Sequence, residues 1–200
     1  MVGNDIIDLQ LANKESNWQR PRFLEKLFTE QEQDFIRTAP NPTAAVWTLW
    51  SQKESAYKII VRLEKRRFYA PKKLTTTVPF DLSASSSSNV GQVTFASYNF
   101  LTKSKITDAY IHTTAQLNDY QSLMSDSFQL AQSNCAYQRT TTRFKLLQAY
   151  ATKNSLSLDN LSIQKDEWKV PHLYYKNQRQ TVQISMAHHG YFGGYVLQKF

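Results

Sequence analysis

One helical stretch, Trp47-Thr-Leu-Trp-Ser-Gln-Lys-Glu-Ser-Ala-Tyr-Lys58, constrains the fold of this chain most. Asn41-Pro42 lies just upstream and is typical of a helix start, because proline at the first helical position loses no needed N–H group. Apolar residues then recur at helical spacing, at Val46, Leu49, Trp50, Tyr57, Ile60 and Val61. The pattern predicts a central helix from about Thr43 to the mid-60s, with one face packed in a core.

Beside this apolar face, Glu54 and Lys58 are one helical turn apart and therefore lie side by side. Such a pair is commonly a surface ion pair, worth roughly 0.2–0.5 kcal/mol. It could also be a metal ligand next to a phosphate-binding ammonium. The stretch alone favours the surface pair, so the decision depends on what the remaining chain brings to Glu54.

The composition limits the class of protein and its partners. The 200 residues are 41% hydrophobic, which is enough to bury a core. Cys135 is the single cysteine, so the chain forms no internal disulfide and no cysteine metal cluster. No basic region followed by an apolar run marks a signal peptide, and no apolar run reaches membrane-spanning length. We expect a cytoplasmic protein with no membrane partner, and the net charge of +8 favours acidic or phosphorylated partners.

The first predicted strand, Val2 to Leu9, contains two carboxylates. Asp8 is expected at the exposed end of the strand. Asp5 lies between Asn4 and Ile6, where burial without a partner would be costly. A buried carboxylate is usually paired or bound to a metal, so Asp5 is the second candidate site residue.

The remaining pattern divides into two halves, each a helical segment followed by strands. In the first half, Thr29 and Glu32 have the spacing of a capping box and predict a helix from Thr29 to about Arg37. Its other predicted elements are a short helix at Phe23–Phe28, the central helix, strands at Leu74–Phe80, 91–95, 98–102 and 109–115, and an exposed serine-rich loop at Ser83–Asn89.

The second half is predicted to begin after a polar joint at 117–127 and to repeat this order. Its helix covers Tyr137–Thr152 and carries Arg139 and Arg143 on one face. Its strands lie at 161–163, 172–175, 181–186 and 195–197, with a site loop or surface turn at Ala187-His188-His189-Gly190. We therefore predict an α+β protein whose two similar halves, 1–120 and 121–200, each pack a small antiparallel sheet with a long helix.

Asp5 and Glu54 together could chelate a hard cation such as Mg²⁺, which takes oxygen ligands and often only one or two carboxylates plus phosphates. Lys58 would then reach a phosphate oxygen, and His188 another. Positioning and charge neutralisation do most of the work in phosphoryl-type transfer, so these residue types suit a pyrophosphate substrate.

These residues also resemble a known family. Gly3-Asn-Asp5, followed by Trp50-Ser-Gln-Lys53-Glu54-Ser-Ala-Tyr-Lys58, is similar to the paired signature of the 4′-phosphopantetheinyl transferases. Leu27-Phe-Thr-Glu-Gln-Glu32 looks like the aromatic-Ser/Thr-x-x-Glu segment between the two motifs, and Ile184–Gly190 resembles the family's Ile-Ser-His-Ser-Gly segment. The order of the halves looks reversed relative to the long surfactin-synthetase type. The short holo-synthase type has the same motif order as this chain, but it is much shorter and trimeric. The resemblance therefore favours a circularly permuted pseudo-dimer in one chain, and hence a monomer.

The resemblance implies the activity and the role of each residue. Phosphopantetheine would pass from coenzyme A to a serine of an apo acyl or peptidyl carrier protein, leaving 3′,5′-ADP. Asp5 and Glu54 would bind Mg²⁺, and Glu54 or a metal-bound water would help to deprotonate the serine. Lys58 would hold the phosphates of coenzyme A. Lys53 and His188 would contact the nucleotide end, as would Arg139 or alternatively Arg143.

Three positions depart from the family pattern. Ile7 replaces a second acid two residues after Asp5, so either Asp8 or a water would complete a metal site with two carboxylates. Ala187 stands before His188 where the family has serine. Val170 in Trp168-Lys-Val-Pro171 stands where a Gly-Lys-Pro turn has its lysine, and Lys169 is the available substitute.

Two other functions are compatible with parts of the sequence. Glu167-Trp-Lys169 has the carboxylate-x-lysine spacing of a Mg²⁺-dependent nuclease, but no Pro-Asp partner precedes it at convincing spacing. The basic cluster from Arg62 to Lys73, with Phe68 and Tyr69, could instead belong to a nucleic-acid-binding module. The nuclease tripeptide is short enough to occur by chance, and the binding module leaves Asp5 and Glu54 unexplained, so we expect a transferase without a nucleic-acid partner.

Overall fold

The computed structural model describes residues 1–79, 82, 88–117 and 122–198. It has the predicted α+β architecture, with two five-stranded antiparallel sheets. The helices are α1 (Leu9–Glu15), α2 (Phe23–Leu27), α3 (Glu30–Thr38), α4 (Pro42–Glu64) and α5 (Cys135–Asn154). Short 3-10 turns lie at Pro71–Lys73 and Leu158–Asn160. Within the described residues, no helix has the length and apolar character that crossing a bilayer requires.

The two sheets have the same strand order. The first contains β1 (Val2–Asp8), β2 (Thr75–Thr76), β3 (Ser88–Phe95), β4 (Tyr98–Ile106) and β5 (Tyr110–Leu117), arranged β1-β5-β4-β3-β2. The second contains β6 (Met124–Gln129), β7 (Leu161–Lys165), β8 (Pro171–Tyr175), β9 (Gln178–His189) and β10 (Phe192–Gln198), arranged β6-β10-β9-β8-β7. In each sheet, a first strand pairs with the last strand of a four-strand meander.

Helix α4 begins and ends as its sequence predicts. The Asn41 side chain accepts from the Ala44 amide and caps the helix, and Pro42 occupies the first position. At the other end, Lys65 adopts a left-handed conformation and closes the helix. Most side chains of α4 are buried, because α4 lies between the N-terminal helices and the first sheet.

Three buried clusters form the core. Residues Ala56, Ile59 and Ile60 of α4 lie in one cluster with Val93, Phe100 and Ala115 of the first sheet. The N-terminal half of α4 joins α2, α3 and Ile7 in a second cluster. Leu146 and Tyr150 of α5 lie in the third with residues of the second sheet, including Leu173, Ile184 and Leu197. The two long helices therefore bury their apolar side chains against different sheets.

Several local predictions are confirmed. Thr29 and Glu32 form the capping box at the start of α3. The predicted helices at Phe23 and Tyr137 and the predicted strands of the second half are present, with small shifts at their ends. The sequence did not predict α1 or β6, because α1 is a short polar helix and β6 is a polar edge strand.

Other local predictions were wrong or concern residues that the structure does not describe. Of the strand predicted at Leu74–Phe80, Thr75–Thr76 form β2 and the Thr77 amide still donates to the Gln92 carbonyl, residues 78–79 are not part of a strand, and Phe80 lies outside the described residues. Most of the predicted serine-rich loop lies outside the described residues, and Ser88–Asn89 belong to β3. Residues 187–189 are not a loop: they end β9, and the turn begins at Gly190, which has a φ of 56°.

Hydrogen bonds from β1 connect the two halves. The Asn4 amide donates to Ser185 Oγ at 3.1 Å, and the Asp8 amide donates to His189 Nδ1 at 3.0 Å. Arg62 of α4 also donates to the Gln183 side chain and to the Ile184 carbonyl. The strand that carries Asp5 is therefore fixed against β9, which carries His188.

Candidate active site

A cleft of about 530 Å³ opens where the two halves meet. Its walls come from α4, α5, β9 and the turn between β7 and β8. Its lining includes seven cationic side chains: Lys58, Arg62, Arg67, Arg139, Arg143, Lys165 and Lys169. Among the described residues of the lining, Glu54 is the one with a carboxylate side chain. Such a concentration of positive charge favours an extended ligand with several phosphate groups.

Asp5, Glu54 and Lys58 lie together at one end of the cleft. Lys58 Nζ is 3.3 Å from Asp5 Oδ1 and donates to the Asn4 carbonyl at 2.6 Å. The Asp5 and Lys58 side chains are 16% and 31% exposed, and Lys58 lines the cleft while Asp5 lies directly behind it. The close packing of β1 on α4 requires Gly3, because a Cβ there would collide with the Ser55 carbonyl.

The environment of Glu54 disfavours its negative charge. Burial and the negative charge of Asp5 together raise the pKa of this carboxyl to about 7, although the positive charge of Lys58 opposes them. Two carboxylates that repel each other in a half-buried site offer the hard oxygen donors that Mg²⁺ prefers. No group of three or more His, Cys, Asp or Glu side chains with metal-binding geometry occurs in the part of the chain that the structure describes. The residues present thus fit a cation with two protein carboxylates and further oxygen ligands from elsewhere.

His188 lines the cleft, and its neighbour His189 has a different role. Burial lowers the pKa of His188, and the positive charges of Arg139 and Lys58 lower it further, so its imidazole is neutral at pH 7. His189 accepts from the Asp8 amide through Nδ1, and its Nε2 is 3.5 Å from Glu15. Adjacent residues of a strand point to opposite faces, which gives one histidine to the cleft and the other to the contact with β1.

Arg139 and Arg143 both line the cleft, but they differ in their protein contacts. Arg143 donates to the Ile163 carbonyl at 2.6 Å, which fixes its guanidinium against β7. Arg139 is exposed, and its guanidinium approaches only the weak acceptor Sγ of Cys135, at 3.7 Å, among its described contacts. The arrangement favours Arg139 as the arginine available to a ligand.

The structure does not bring Lys53 to the cleft. Its side chain is 2% exposed, and its Nζ lies 2.6 Å from Glu32 Oε2. The same ammonium donates to the carbonyls of Leu27 and Pro71. Adjacent positions of a helix point in directions about 100° apart, so Glu54 faces the cleft while Lys53 enters the interior.

Asp8 and Ile7 also have structural roles. Asp8 is 4% exposed, contrary to the prediction of an exposed strand end. Its carboxylate accepts from the Leu11 amide, capping α1, and from the Tyr191 amide of the second half. Ile7 lies in the core beside α2 and α3. Asp8 is therefore occupied in capping, which leaves a water as the expected additional metal ligand.

Sequence reasoning had not assigned Arg62, Arg67 and Lys165 to the site, yet all three line the cleft. Burial lowers the pKa of Arg62 to about 10, although Asp166 opposes this effect. Arg67 donates to the carbonyl of Trp168, another residue of the cleft lining, at 3.3 Å. The sequence signal for the two arginines was the basic cluster from Arg62 to Lys73 at the end of α4. Nothing in the local sequence indicated Lys165.

The comparison with known families agrees with this geometry. The family profile of the 4′-phosphopantetheinyl transferase superfamily matches residues 1–120, more than half of the chain. The chain belongs to this superfamily. The matched residues of this phosphopantetheinyl transferase homologue include Asp5, Glu54 and Lys58, whereas His188 and Arg139 lie beyond the matched region.

One curated relative covers a shorter segment. A holo-[acyl-carrier-protein] synthase of Caldanaerobacter subterraneus subsp. tengcongensis is 39% identical over 59 residues, which are 30% of this chain and 46% of that protein. The chain thus matches somewhat less than half the length of that relative. The resemblance inferred from the Gly-x-Asp and Lys-Glu-Ser motifs is confirmed at the level of the superfamily.

Proposed function

We propose that this protein transfers 4′-phosphopantetheine from coenzyme A to a serine of an apo acyl or peptidyl carrier protein, releasing 3′,5′-ADP. The observation that carries the proposal is the cationic cleft with Glu54 at one end, next to the Asp5–Lys58 pair. Coenzyme A bears a pyrophosphate and a separate 3′-phosphate. A long row of lysines and arginines matches phosphates distributed along a ligand better than it matches a single phosphate.

In the proposed reaction, the serine hydroxyl attacks the phosphorus that carries the pantetheine arm. The new bond joins the serine oxygen to that phosphorus, and the bond to the bridging oxygen of the pyrophosphate breaks. Glu54 takes the proton of the hydroxyl, while Lys58 stabilises the charge that develops on the phosphate oxygens. His188 and Arg139 hold the nucleotide end from the opposite wall.

Asp5 and Glu54 are the residues that would hold Mg²⁺. When bound, Mg²⁺ supplies neutralisation of the negative charge on the pyrophosphate. The Asn4 carbonyl is already engaged by Lys58, and Asp8 is engaged in capping. These contacts support a site in which water and the substrate phosphates provide the remaining oxygen ligands.

The repeated topology supports a pseudo-dimer within one chain. Each half has one strand and then a long helix before a four-strand meander, and the strand order in the two sheets is the same. We place the division at 1–120 and 121–200, where the chain passes from the first sheet to the second. Because both halves line one cleft, a single chain would carry a complete site and act as a monomer.

A transfer assay tests the proposal directly. Purified protein with Mg²⁺ is incubated with several apo carrier proteins and with coenzyme A that is labelled on its pantetheine arm. The expected result is a labelled carrier whose mass increases by one phosphopantetheine. Failure to modify any carrier would overturn the proposed activity, and salt-sensitive DNA binding without coenzyme A binding would support a nucleic-acid-binding module.

The oligomeric prediction has a separate measurement. Analytical ultracentrifugation should give the mass of one chain, and isothermal titration should give one coenzyme A per chain. An obligate trimer would refute the pseudo-dimer even if the transfer activity were present.

A further inference from the structure

Lys53 and Glu32 form an ion pair inside the N-terminal half. Their side chains are 2% and 0% exposed, and Nζ lies 2.6 Å from Oε2. Removing two charges from water is expensive, and a buried pair persists only where good geometry and further hydrogen bonds compensate. A buried pair is therefore weak support for stability alone, which raises the question of what else this pair fixes.

Both charged groups bind several chain segments. Lys53 Nζ donates to the Leu27 carbonyl at 3.0 Å, where α2 ends, and to the Pro71 carbonyl at 3.2 Å. Glu32 accepts from the Thr29 amide at 2.8 Å and from the Thr76 amide at 2.7 Å. The pair thus attaches the end of α2, the start of α3 and the segment 71–76 to one turn of α4.

That turn of α4 and that segment both border the cleft. Glu54 directly follows Lys53, and Arg67, just before the attached segment, lines the cleft and donates to the Trp168 carbonyl. The Phe68 amide donates to the Tyr57 hydroxyl at 3.2 Å, which is a second attachment of this segment to α4. A groove of about 110 Å³ lies between α4 and residues 68–74. Glu54 and Tyr57 line both this groove and the cleft.

We infer that the Glu32–Lys53 pair is a positioning unit that holds residues 67–76 against the turn of α4 that carries Glu54. The inference rests on the proposed function for its kinetic consequence. Lys53 makes no contact with the nucleotide, and its effect on transfer passes through Glu54 and Arg67. Displacing a reacting group by about 1 Å can cost about 100-fold in rate, so a loosened attachment would lower turnover without weakening coenzyme A binding equally.

The double variant Glu32→Gln/Lys53→Met tests this role. The single variant Lys53→Met would leave an unpaired buried carboxylate and could fail to fold. The double variant keeps the side-chain volumes and one amide acceptor for Thr29 or Thr76, but removes the donor to Leu27 and Pro71. We expect a folded protein whose kcat is about 10- to 100-fold lower, with KM for coenzyme A changed less than about threefold.

The matched control is the double variant Asp34→Asn/Arg37→Met. It removes an exposed ion pair of 3.0 Å from the same helix α3, without any contact to α4 that the structure describes. The kcat of the control should equal that of the wild type. A Glu32→Gln/Lys53→Met protein with full kcat would refute the positioning role. A KM raised more than tenfold at unchanged kcat would assign Lys53 to nucleotide binding instead.

Hydrogen–deuterium exchange separates this inference from the proposed activity. In the Glu32→Gln/Lys53→Met protein, amides of residues 67–76 should exchange at least about tenfold faster, while those of the second sheet remain unchanged. Unchanged exchange in 67–76 would overturn the inference. If the wild-type protein transfers no phosphopantetheine, the proposed function fails, and the exchange experiment still decides whether the pair holds this segment.

Discussion

The Lys58 ammonium of α4 pairs with the Asp5 carboxylate of β1, with 3.3 Å between Nζ and Oδ1. The sequence alone had placed Lys58 beside Glu54, one turn away on the same helix. Among the described residues, Glu54 forms no ion pair, because Lys58 turns towards β1 and donates to the Asn4 carbonyl. Glu54 is thus left as a half-buried carboxylate in the lining of a cationic cleft.

The variant Glu54→Gln should lose at least about 100-fold in transfer rate, because it removes both the proposed base and a metal-binding charge. Its thermal midpoint should equal or exceed that of the wild type, since a neutral amide replaces a carboxylate that burial and Asp5 both disfavour. Initial rates and thermal melts measure the two effects. Glu64→Gln, at the end of the same helix, is the control and should keep full activity; full activity in Glu54→Gln would show that the assignment is wrong.

The variant Asp5→Asn should raise the Mg²⁺ concentration needed for half-maximal activity by at least about tenfold, because one of two carboxylate ligands is lost. A Mg²⁺ titration of the transfer rate at saturating coenzyme A measures the change. Asp108→Asn, at an exposed turn position before β5, makes the same substitution away from the cleft and should leave the titration unchanged. An unaltered Mg²⁺ dependence in Asp5→Asn would remove Asp5 from the metal site.

The variant Arg139→Ala should weaken coenzyme A binding by about tenfold or more, because a hydrogen bond to a charged group contributes about 1.5–3 kcal/mol. Arg143→Ala should instead lower the thermal midpoint more than it lowers affinity, since its guanidinium holds the Ile163 carbonyl. Isothermal titration and thermal melts distinguish the two arginines. Lys153→Ala, an exposed position in the last turn of α5, is the control; the opposite pattern would assign the nucleotide contact to Arg143.

His112 should make the protein less stable as the pH falls from about 6.5 to about 4. Burial and, to a smaller extent, the positive charges of Lys58 and Lys105 lower its pKa to about 4. The unfolded chain therefore binds the proton first, and the free energy of unfolding decreases through this window by as much as about 3 kcal/mol. The ring lies so close to Gly194 that a Cβ there would be 2.8 Å from it, and its Nε2 is 3.3 Å from Nδ2 of the Asn4 side chain, so its charging would disturb the contact between the halves.

Urea unfolding at several pH values measures this decrease, and an NMR titration of the His112 imidazole measures its pKa directly. His112→Gln should show a shallower decrease between pH 6.5 and 4. A His112 ring that titrates near 6.5 in the folded protein would contradict the prediction.

Much of the fold followed from local patterns. The helix start at Asn41-Pro42, the capping box at Thr29 and the strands β4 and β5 each depend on residues close in sequence, and the structure confirms them. Within the described part of the strand predicted at Leu74–Phe80, only Thr75–Thr76 form β2, because β-branched residues fit a pleated strand but the partner β3 determines how many of them pair. His188 was placed in a loop because Gly190 signals a turn but does not mark where the strand before it ends.

The sequence by itself determined the family and the helix that carries Glu54 and Lys58, because the motif residues are adjacent in the chain or one helical turn apart. Only the tertiary structure decided which neighbours those side chains meet. It paired Lys58 with Asp5, placed Lys53 in the interior with Glu32, and brought Arg139 and His188 of the other half to Glu54. These outcomes depend on how β1, α4 and β9 pack, and packing joins residues that no spacing along the chain connects.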